Sequence, residues 1–437
     1  MLSSRLSFVA CLSVSSVLVL STYACGNSGS SGTTPGSDDA GPDASSIVPD
    51  TGPTDLDANG HVDAPAPLFA TRLGAGESHA CAVRSDGTIG CWGFNTSYQL
   101  GVVDAGGTFS ATPIRATDLK GAVATVGTFA TSCALLDTAE LGCWGTNSGG
   151  LLGNLAAPSF SAVPSRVGNL TDVVAVTGGK KHACLLRVGG KAFCWGNNDD
   201  EQLGSGIPGA GNSGAPAPVQ APDKIKYIGS GATSSHTCAI RDDDQIVCWG
   251  QNNKTGQLGA PTYTDIRSAM PLLVDNVQDA IKVATGTDHS CAIRKGGTMR
   301  CWGANDFGQV GFGTPADQAA EKIAQDVPGV TDAVALSLGD QRTCIVHATG
   351  KVSCWGNNPN GALGAGAGDA GAFSKTPLDV AGITDAVDVS CGLGFTCVIR
   401  QGGKVSCWGV NDKGQLGSAT PAPAPGAFTA TPVEVSL

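Results

Sequence analysis

The stretch Cys397-Val-Ile-Arg-Gln-Gly-Gly-Lys-Val-Ser-Cys407-Trp408-Gly409, continued by Gly414-Gln415-Leu416-Gly417, decides the fold, because its pattern occurs seven times in the chain. A Cys-Trp-Gly triplet begins at Cys91, Cys143, Cys194, Cys248, Cys301, Cys354 and Cys407, in steps of 52, 51, 54, 53, 53 and 53 residues. Every tryptophan of the protein lies in one of these triplets. Periods of this size belong to solenoids and propellers, whose units bury their apolar faces by stacking on neighbours.

Outward from the triplet, a composite unit reads Thr-Pro-x-x-Val, a connection, Ala-Val-x-Val-x-x-Gly, His-x-Cys-Ala-Ile-Arg, a turn, and x-Val-x-Cys-Trp-Gly-x-Asn-x-x-Gly-Gln-Leu-Gly before a variable loop. Short alternating runs bounded by Gly, Asp and Pro are strand signals, and four such strands make one propeller blade. The central hairpin turns have three residues, such as Ser85-Asp86-Gly87 and Lys295-Gly296-Gly297, and five of the seven end in Gly. A hairpin loop of that length needs left-handed geometry at its last residue, which Gly adopts without steric cost.

With that loop, the cysteine before each turn stands opposite the one ten residues later, which pairs Cys81/Cys91, Cys133/Cys143, Cys184/Cys194, Cys238/Cys248, Cys291/Cys301, Cys344/Cys354 and Cys397/Cys407. Disulfides are the expected state of these fourteen cysteines out of seventeen. Metal is the competing reading, but each hairpin offers half a zinc site and the other half lies a repeat away. Cys391 has no partner and reads as a buried small thiol.

The Thr-Pro strand precedes repeats two to seven, as in Thr112-Pro113-Ile114, while no good copy precedes the first. One stands instead at the end, Thr431-Pro432-Val433-Glu434-Val435. The fold class expected is therefore all-β, a seven-bladed β-propeller of four-stranded blades, its ring closed by the C-terminal strand pairing in the first blade.

These residues resemble the regulator of chromosome condensation repeat, a seven-bladed propeller. The match rests on Gly-x-x-His-x-Cys-Ala-Ile followed by Gly-x-Val-x-Cys-Trp-Gly-x-Asn-x-x-Gly-Gln-Leu-Gly, seen almost whole in Gly286 to Gly311, and covers residues 68–437. The departure is the cysteine pair, where intracellular members generally carry ordinary apolar residues. The family includes an exchange factor for a nuclear small GTPase that docks on chromatin, and the fold includes a secreted bacterial β-lactamase inhibitor. The resemblance implies binding of proteins through loops on one face. No exchange-factor residue maps onto this chain.

A formal net charge of −11 opposes nucleic acid as a partner, since such binding needs Lys and Arg to displace condensed counterions. Residues 1–24 read as a signal peptide, with Arg5 ahead of an apolar run from Leu6 to Leu20. Ser21-Thr22-Tyr23-Ala24-Cys25-Gly26 resembles a bacterial lipoprotein box, which makes Cys25 the expected lipidation site, with ordinary cleavage or no processing there as the alternatives. Residues 25–67 are rich in Gly, Ser, Pro and Asp and read as a disordered tether, and residues 68–437 as the propeller. The tether contains part of a calcium-loop pattern, Asp55, Asp57, Asn59 and Asp63, but Ala66 stands where the bidentate Glu belongs. A solvated acidic linker is the preferred reading, and no metal or cofactor is expected.

No catalytic residue is proposed from the sequence. His79, His182, His236 and His289 precede hairpin cysteines by two residues, but the same position holds Thr131, Arg342 and Phe395 elsewhere, a tolerance that fits a structural role better than a reacting one. Aromatics in the variable loops, Phe109, Phe160, Tyr263, Phe312, Phe373 and Phe428, are the candidate binding residues. The function expected is a non-enzymatic, surface-tethered module that recognises a protein or glycan through one propeller face. It would be monomeric, touch a membrane only through its lipid, and sit on the outer membrane or cell surface, with the periplasm or secretion as alternatives. An exported hydrolase using the central cavity, or a small-GTPase regulator, is the competing function.

Overall fold

The structure is a computed structural model that describes residues 68–103, 108–117, 119–221, 224–263, 265–313, 320–366, 372–419 and 421–437. The expected signal, the tether, Cys25 and the partial calcium loop Asp55, Asp57, Asn59 and Asp63 lie outside the described residues. From Phe69 onward the chain forms one compact unit. Seven four-stranded antiparallel sheets follow one another in chain order, and the first strands of all seven line the ring axis. The first blade consists of Ala70–Ala75, His79–Arg84, Ile89–Phe94 and Phe109–Arg115, and the seventh of Ala386–Cys391, Phe395–Arg400, Val405–Val410 and Phe428–Val435. The expected seven-bladed, all-β propeller is present.

The expected strand exchange at closure is not. Phe428–Val435 pairs with Val405–Val410 in the seventh blade, and the first blade is complete without it. The reason is where the unit begins. The Thr-Pro strand folds back on the Cys-Trp-Gly strand that precedes it, with Cys91 opposite Ile114, so it is the outermost strand of its own blade and not the first strand of the next. Framed from the Ala-Val strand, every copy is whole and nothing is permuted.

Closure rests instead on contacts between blades seven and one. Trp92 Nε1 donates to the Gln415 carbonyl at 3.0 Å, Leu393 N–H to the Glu77 carbonyl at 3.0 Å, and Ala75 N–H to Ser390 Oγ at 2.9 Å. Leu73, Ala80 and Trp92 of the first blade share one buried cluster with Phe395, Ile399 and Leu416 of the seventh.

The same indole bond recurs at every junction. Trp144 donates to Gln99, Trp195 to Leu151, Trp249 to Gln202, Trp302 to Gln257, Trp355 to Gln309 and Trp408 to Ala362, each to a main-chain carbonyl in the preceding blade's Gln-Leu-Gly turn or its Leu-Leu-Gly, Gln-Val-Gly or Ala-Leu-Gly equivalent, at 2.9–3.0 Å. All seven rings are fully buried. A buried indole N–H needs an acceptor, and the repeated turn supplies it one blade away. This is why Trp and the turn recur together, even where Leu151 or Ala362 stands in place of Gln.

The triplet's glycine has an equally local cause. Gly93 has φ +97°, and a Cβ there would stand 2.5 Å from the Ser78 carbonyl oxygen. At the same point the pairing with the outermost strand slips between Cys91 and Gly93. In the hairpins the third turn residue is left-handed in every blade: Gly87, Gly190, Gly297, Gly350 and Gly403, with Ala139 at φ 60° and Asp244 at φ 67° in the two copies that lack Gly. That turn sets the register that puts Cys81 opposite Cys91, with equivalent pairing in the other six blades and Cα atoms 4.0–4.1 Å apart. The structure joins the sulfurs of all seven pairs and leaves Cys391 buried with a free thiol.

Candidate functional site

Two sets of connections share one face of the ring. Short links join the first and second strands, and long links carrying the Gln-Leu-Gly turn join the third and fourth. The hairpin turns lie on the opposite face.

Four of the predicted aromatics sit on the first face, but not in its loops. Phe109, Phe160, Phe373 and Phe428 are each the first residue of an outermost strand, opposite Phe94, Thr146, Asn357 and Val410. They belong to blades 1, 2, 6 and 7, which are consecutive once the ring is closed. Their exposures are 37, 53, 44 and 49%, so none is a core residue. Tyr98 packs on Phe160 with ring centroids 5.3 Å apart, and Phe307 meets Phe373 edge-on at 6.4 Å. The result is an apolar arc over about half the rim. In blades 4 and 5 the equivalent position holds Arg267 and Ala320, opposite Gln251 and Ala304.

The other two predicted aromatics are placed differently. Phe312 is half-buried against the core of blades 5 and 6. Tyr263 does lie in a loop, and its hydroxyl donates to the Arg267 carbonyl at 2.8 Å. With Arg267 and the buried Glu201 it borders a rim cavity of about 470 Å³.

The polar half of the face holds a feature that the repeat pattern did not announce, a cavity of about 310 Å³ between blades 3, 4 and 5. Its wall includes Lys180, Lys181, Asn197, Gln202, Gln251 and Asp288. Burial raises the Asp288 carboxyl above the ordinary range, against the bond it accepts from Asn253 Nδ2 at 2.8 Å and the nearby Lys180. Burial likewise raises Glu77, against the lowering effect of Lys180. One sequence signal for the cavity exists. Blade 4 has six residues, Ser230 to Ser235, where every other blade has three between its first and second strands.

Among the described residues no histidine lines either cavity. His79, His182, His236 and His289 are completely buried, and each Nε2 bonds a hydroxyl of the next blade: Ser132, Thr237, Ser290 and Thr343 at 2.7–3.0 Å. Ser132, Ser290 and Thr343 each donate to a Gln-turn carbonyl at 2.9 Å, which leaves the imidazole Nε2–H as the donor to the hydroxyl. Where the histidine is replaced, the hydroxyl is kept for Arg342 and lost for Thr131 and Phe395. Arg342 Nε meets Thr396 Oγ1 at 3.3 Å, whereas Thr131 precedes a blade with Ala183 and Phe395 a blade with Ala80. Burial pushes His79 down to about 4 and His182, His236 and His289 to about 3, so all four are neutral.

Along the axis the first strands leave about 20 Å³, the space of a single water. Among the described residues no group of three His, Cys, Asp or Glu is placed to hold a metal ion, and no helix is long and apolar enough to cross a membrane.

Comparison with known proteins gives this architecture its place. The RCC1-like domain matches residues 21–381, and the regulator of chromosome condensation (RCC1) repeat matches 386–415. The chain belongs to the RCC1-like family. This RCC1-like propeller is 27% identical to the ultraviolet-B receptor UVR8 of Arabidopsis thaliana over 351 residues, 79% of this chain and 78% of that one. It is 29% identical to the probable E3 ubiquitin-protein ligase HERC6 of Homo sapiens over 64% of this chain, but spans only 26% of the ligase. The solved structure of Prp20p from Saccharomyces cerevisiae superposes with a TM-score of 0.69 at 17% identity, covering 85% of this chain and 88% of that one. Human WBSCR16 superposes with a TM-score of 0.68 at 21% identity over 80% of this chain and 95% of that one.

Proposed function

We propose that this RCC1-like propeller is a non-enzymatic, monomeric binding module, exported and oxidised, tethered at the outer membrane or cell surface through a lipid on Cys25, which grips a protein partner with one face. The observation that carries the reading is the arc of Phe373, Phe428, Phe109 and Phe160 on four consecutive blades. Exposed rings at equivalent positions on a rigid scaffold offer contact area at little entropic cost, and aromatic anchors dominate protein interfaces. Relatives support a protein-binding role: Prp20p was described together with its binding to Gsp1p and histones, and another structure holds yeast RCC1 bound to Kap60. A hydrolase working in the central cavity is disfavoured, since about 20 Å³ admits no substrate.

The test is affinity capture from cell-envelope extracts with the full chain and with a variant carrying Phe109→Ala, Phe160→Ala, Phe373→Ala and Phe428→Ala. The expected result is a partner recovered by the first and lost by the second. Equal recovery would remove the arc from the interface. Palmitate labelling that persists in Cys25→Ser would remove the tether.

A further inference from the structure

We infer that the cavity between blades 3, 4 and 5 is a binding site for a polyhydroxylated ligand, a hexose or the hexose end of a glycan. This goes beyond the protein-binding reading and does not depend on it, because the cavity and the phenylalanine arc occupy different blades.

The argument starts from the wall. Asn197, Gln202, Gln251 and Asn253 present side-chain amides, Asp199, Asp200 and Asp288 present carboxylates, and Thr233, Ser235 and Thr287 present hydroxyls. Lys180 and Lys181 complete it, and no apolar side chain lines it. Apolar ligands and hydrophobic peptide side chains find nothing to bury against. An anion would meet three aspartates, and a cation two lysines. A ligand whose every polar group both donates and accepts fits such a mixture, and a sugar hydroxyl does both.

The wall is also held in place. Asn197 Nδ2 donates to Asp199 Oδ2 at 2.9 Å, Gln202 Nε2 to Asn197 Oδ1 at 3.1 Å, and Asn253 Nδ2 to Asp288 Oδ1 at 2.8 Å. The main chain locks blades 3 and 4 together here, with Lys180 N–H donating to the Ser234 carbonyl at 2.8 Å. Preorganised polar groups cost little further ordering when a ligand arrives.

Other wall groups keep their capacity. Among the described residues the side chains of Lys180, Lys181, Ser235 and Gln251 make no hydrogen bond, and the buried Thr233 Oγ1 has no partner. Thr233 comes from the extra residues that only blade 4 carries at this link. A wall built where a repeat departs from its own pattern, with polar groups unspent, is more than blade stacking requires. The volume stands at the small end of ligand pockets, the scale of one or two sugar rings.

The test is calorimetric titration of the full chain with glucose, galactose, mannose and N-acetylglucosamine, and with maltotriose and chitotriose as chain ends, beside arginine and glutamate. At least one sugar should bind with a dissociation constant on the order of 1 mM. A trisaccharide that binds more tightly than its monomer identifies a glycan end, and a monomer that binds alone identifies a free sugar. Lys181→Ala and Gln251→Ala should each weaken binding by about tenfold without moving Tm, because neither side chain bonds within the fold. The four-phenylalanine variant should bind sugar normally. Silence from all six sugars, binding indifferent to both cavity variants, or binding of arginine or glutamate in their place would overturn the inference.

Discussion

The indole of Trp92 and the carbonyl of Gln415 meet at 3.0 Å across the junction of the first and seventh blades, the one junction that no peptide link spans. At three other junctions the equivalent carbonyl is doubly served, as at Gln99 by Trp144 and Ser132. Gln257 accepts both from Trp302 and from Ser290, and Gln309 both from Trp355 and from Thr343. At Gln415 the residue that would supply the hydroxyl is Ala80, so the indole is the one side-chain donor among the described residues.

Trp92→Phe therefore strips a buried carbonyl of that donor, at a cost of about 1–3 kcal/mol, while Trp302→Phe leaves Gln257 bonded to Ser290. Chemical denaturation should show the first variant weaker than the second. Hydrogen exchange in Trp92→Phe should quicken first in Ala70–Ala75 and Phe395–Arg400. Equal losses in both variants would contradict the seam's dependence on Trp92.

The histidine and hydroxyl partners form a unit. Thr343→Ala alone strands the His289 Nε2–H and should cost about 1–3 kcal/mol. His289→Phe added to it reproduces the Phe395 and Ala80 combination already present at the seam. The double variant should lose less than the two single losses added together, a coupling that a double-mutant cycle reads directly. Strict additivity would mean the two residues do not act as a pair.

Acid should loosen the ring from within. Unfolded histidine titrates near 6.5, whereas burial holds His79 at about 4 and His182, His236 and His289 at about 3. Between those values the unfolded chain binds more protons than the native one. The stability due to the neutral imidazoles is thus complete above about pH 6.5 and drains away as pH falls toward 3 to 4. Tm should begin to fall below about pH 6.5, with a shallower slope in the His289→Phe, Thr343→Ala variant. Identical slopes in the two proteins would refute the assignment.

If the fourteen hairpin cysteines are oxidised in place, alkylation of denatured, unreduced protein should label Cys391 and none of Cys81 to Cys354, Cys397 or Cys407. Opening one bridge with Cys184→Ser and Cys194→Ser should cost about 2–4 kcal/mol. Labelling of the paired cysteines in protein from its native location would end the oxidised reading.

The blade count and the hairpin register that sets each cysteine opposite the one ten residues on were legible because each leaves a mark at fixed spacing, the Trp of each blade and the third turn residue of each hairpin. Closure was misread because a repeat has no intrinsic first strand. Only the pairing of Cys91 with Ile114 shows where the blade ends. Phe109 and its equivalents were found as aromatics but assigned to loops, since the strand that begins at each of them follows a variable segment of shifting length. The cavity was missed altogether. Asn197, Gln251 and Asp288 lie on separate repeats, and their meeting is set by ring curvature that no single repeat encodes.

Because each blade is a contiguous run of chain and its terminal strand stays at home, where the polypeptide starts is incidental to the wheel. Joining the two ends of the propeller and cutting at any other link between neighbouring sheets, such as the one around Gly168, should yield a circular permutant that still folds.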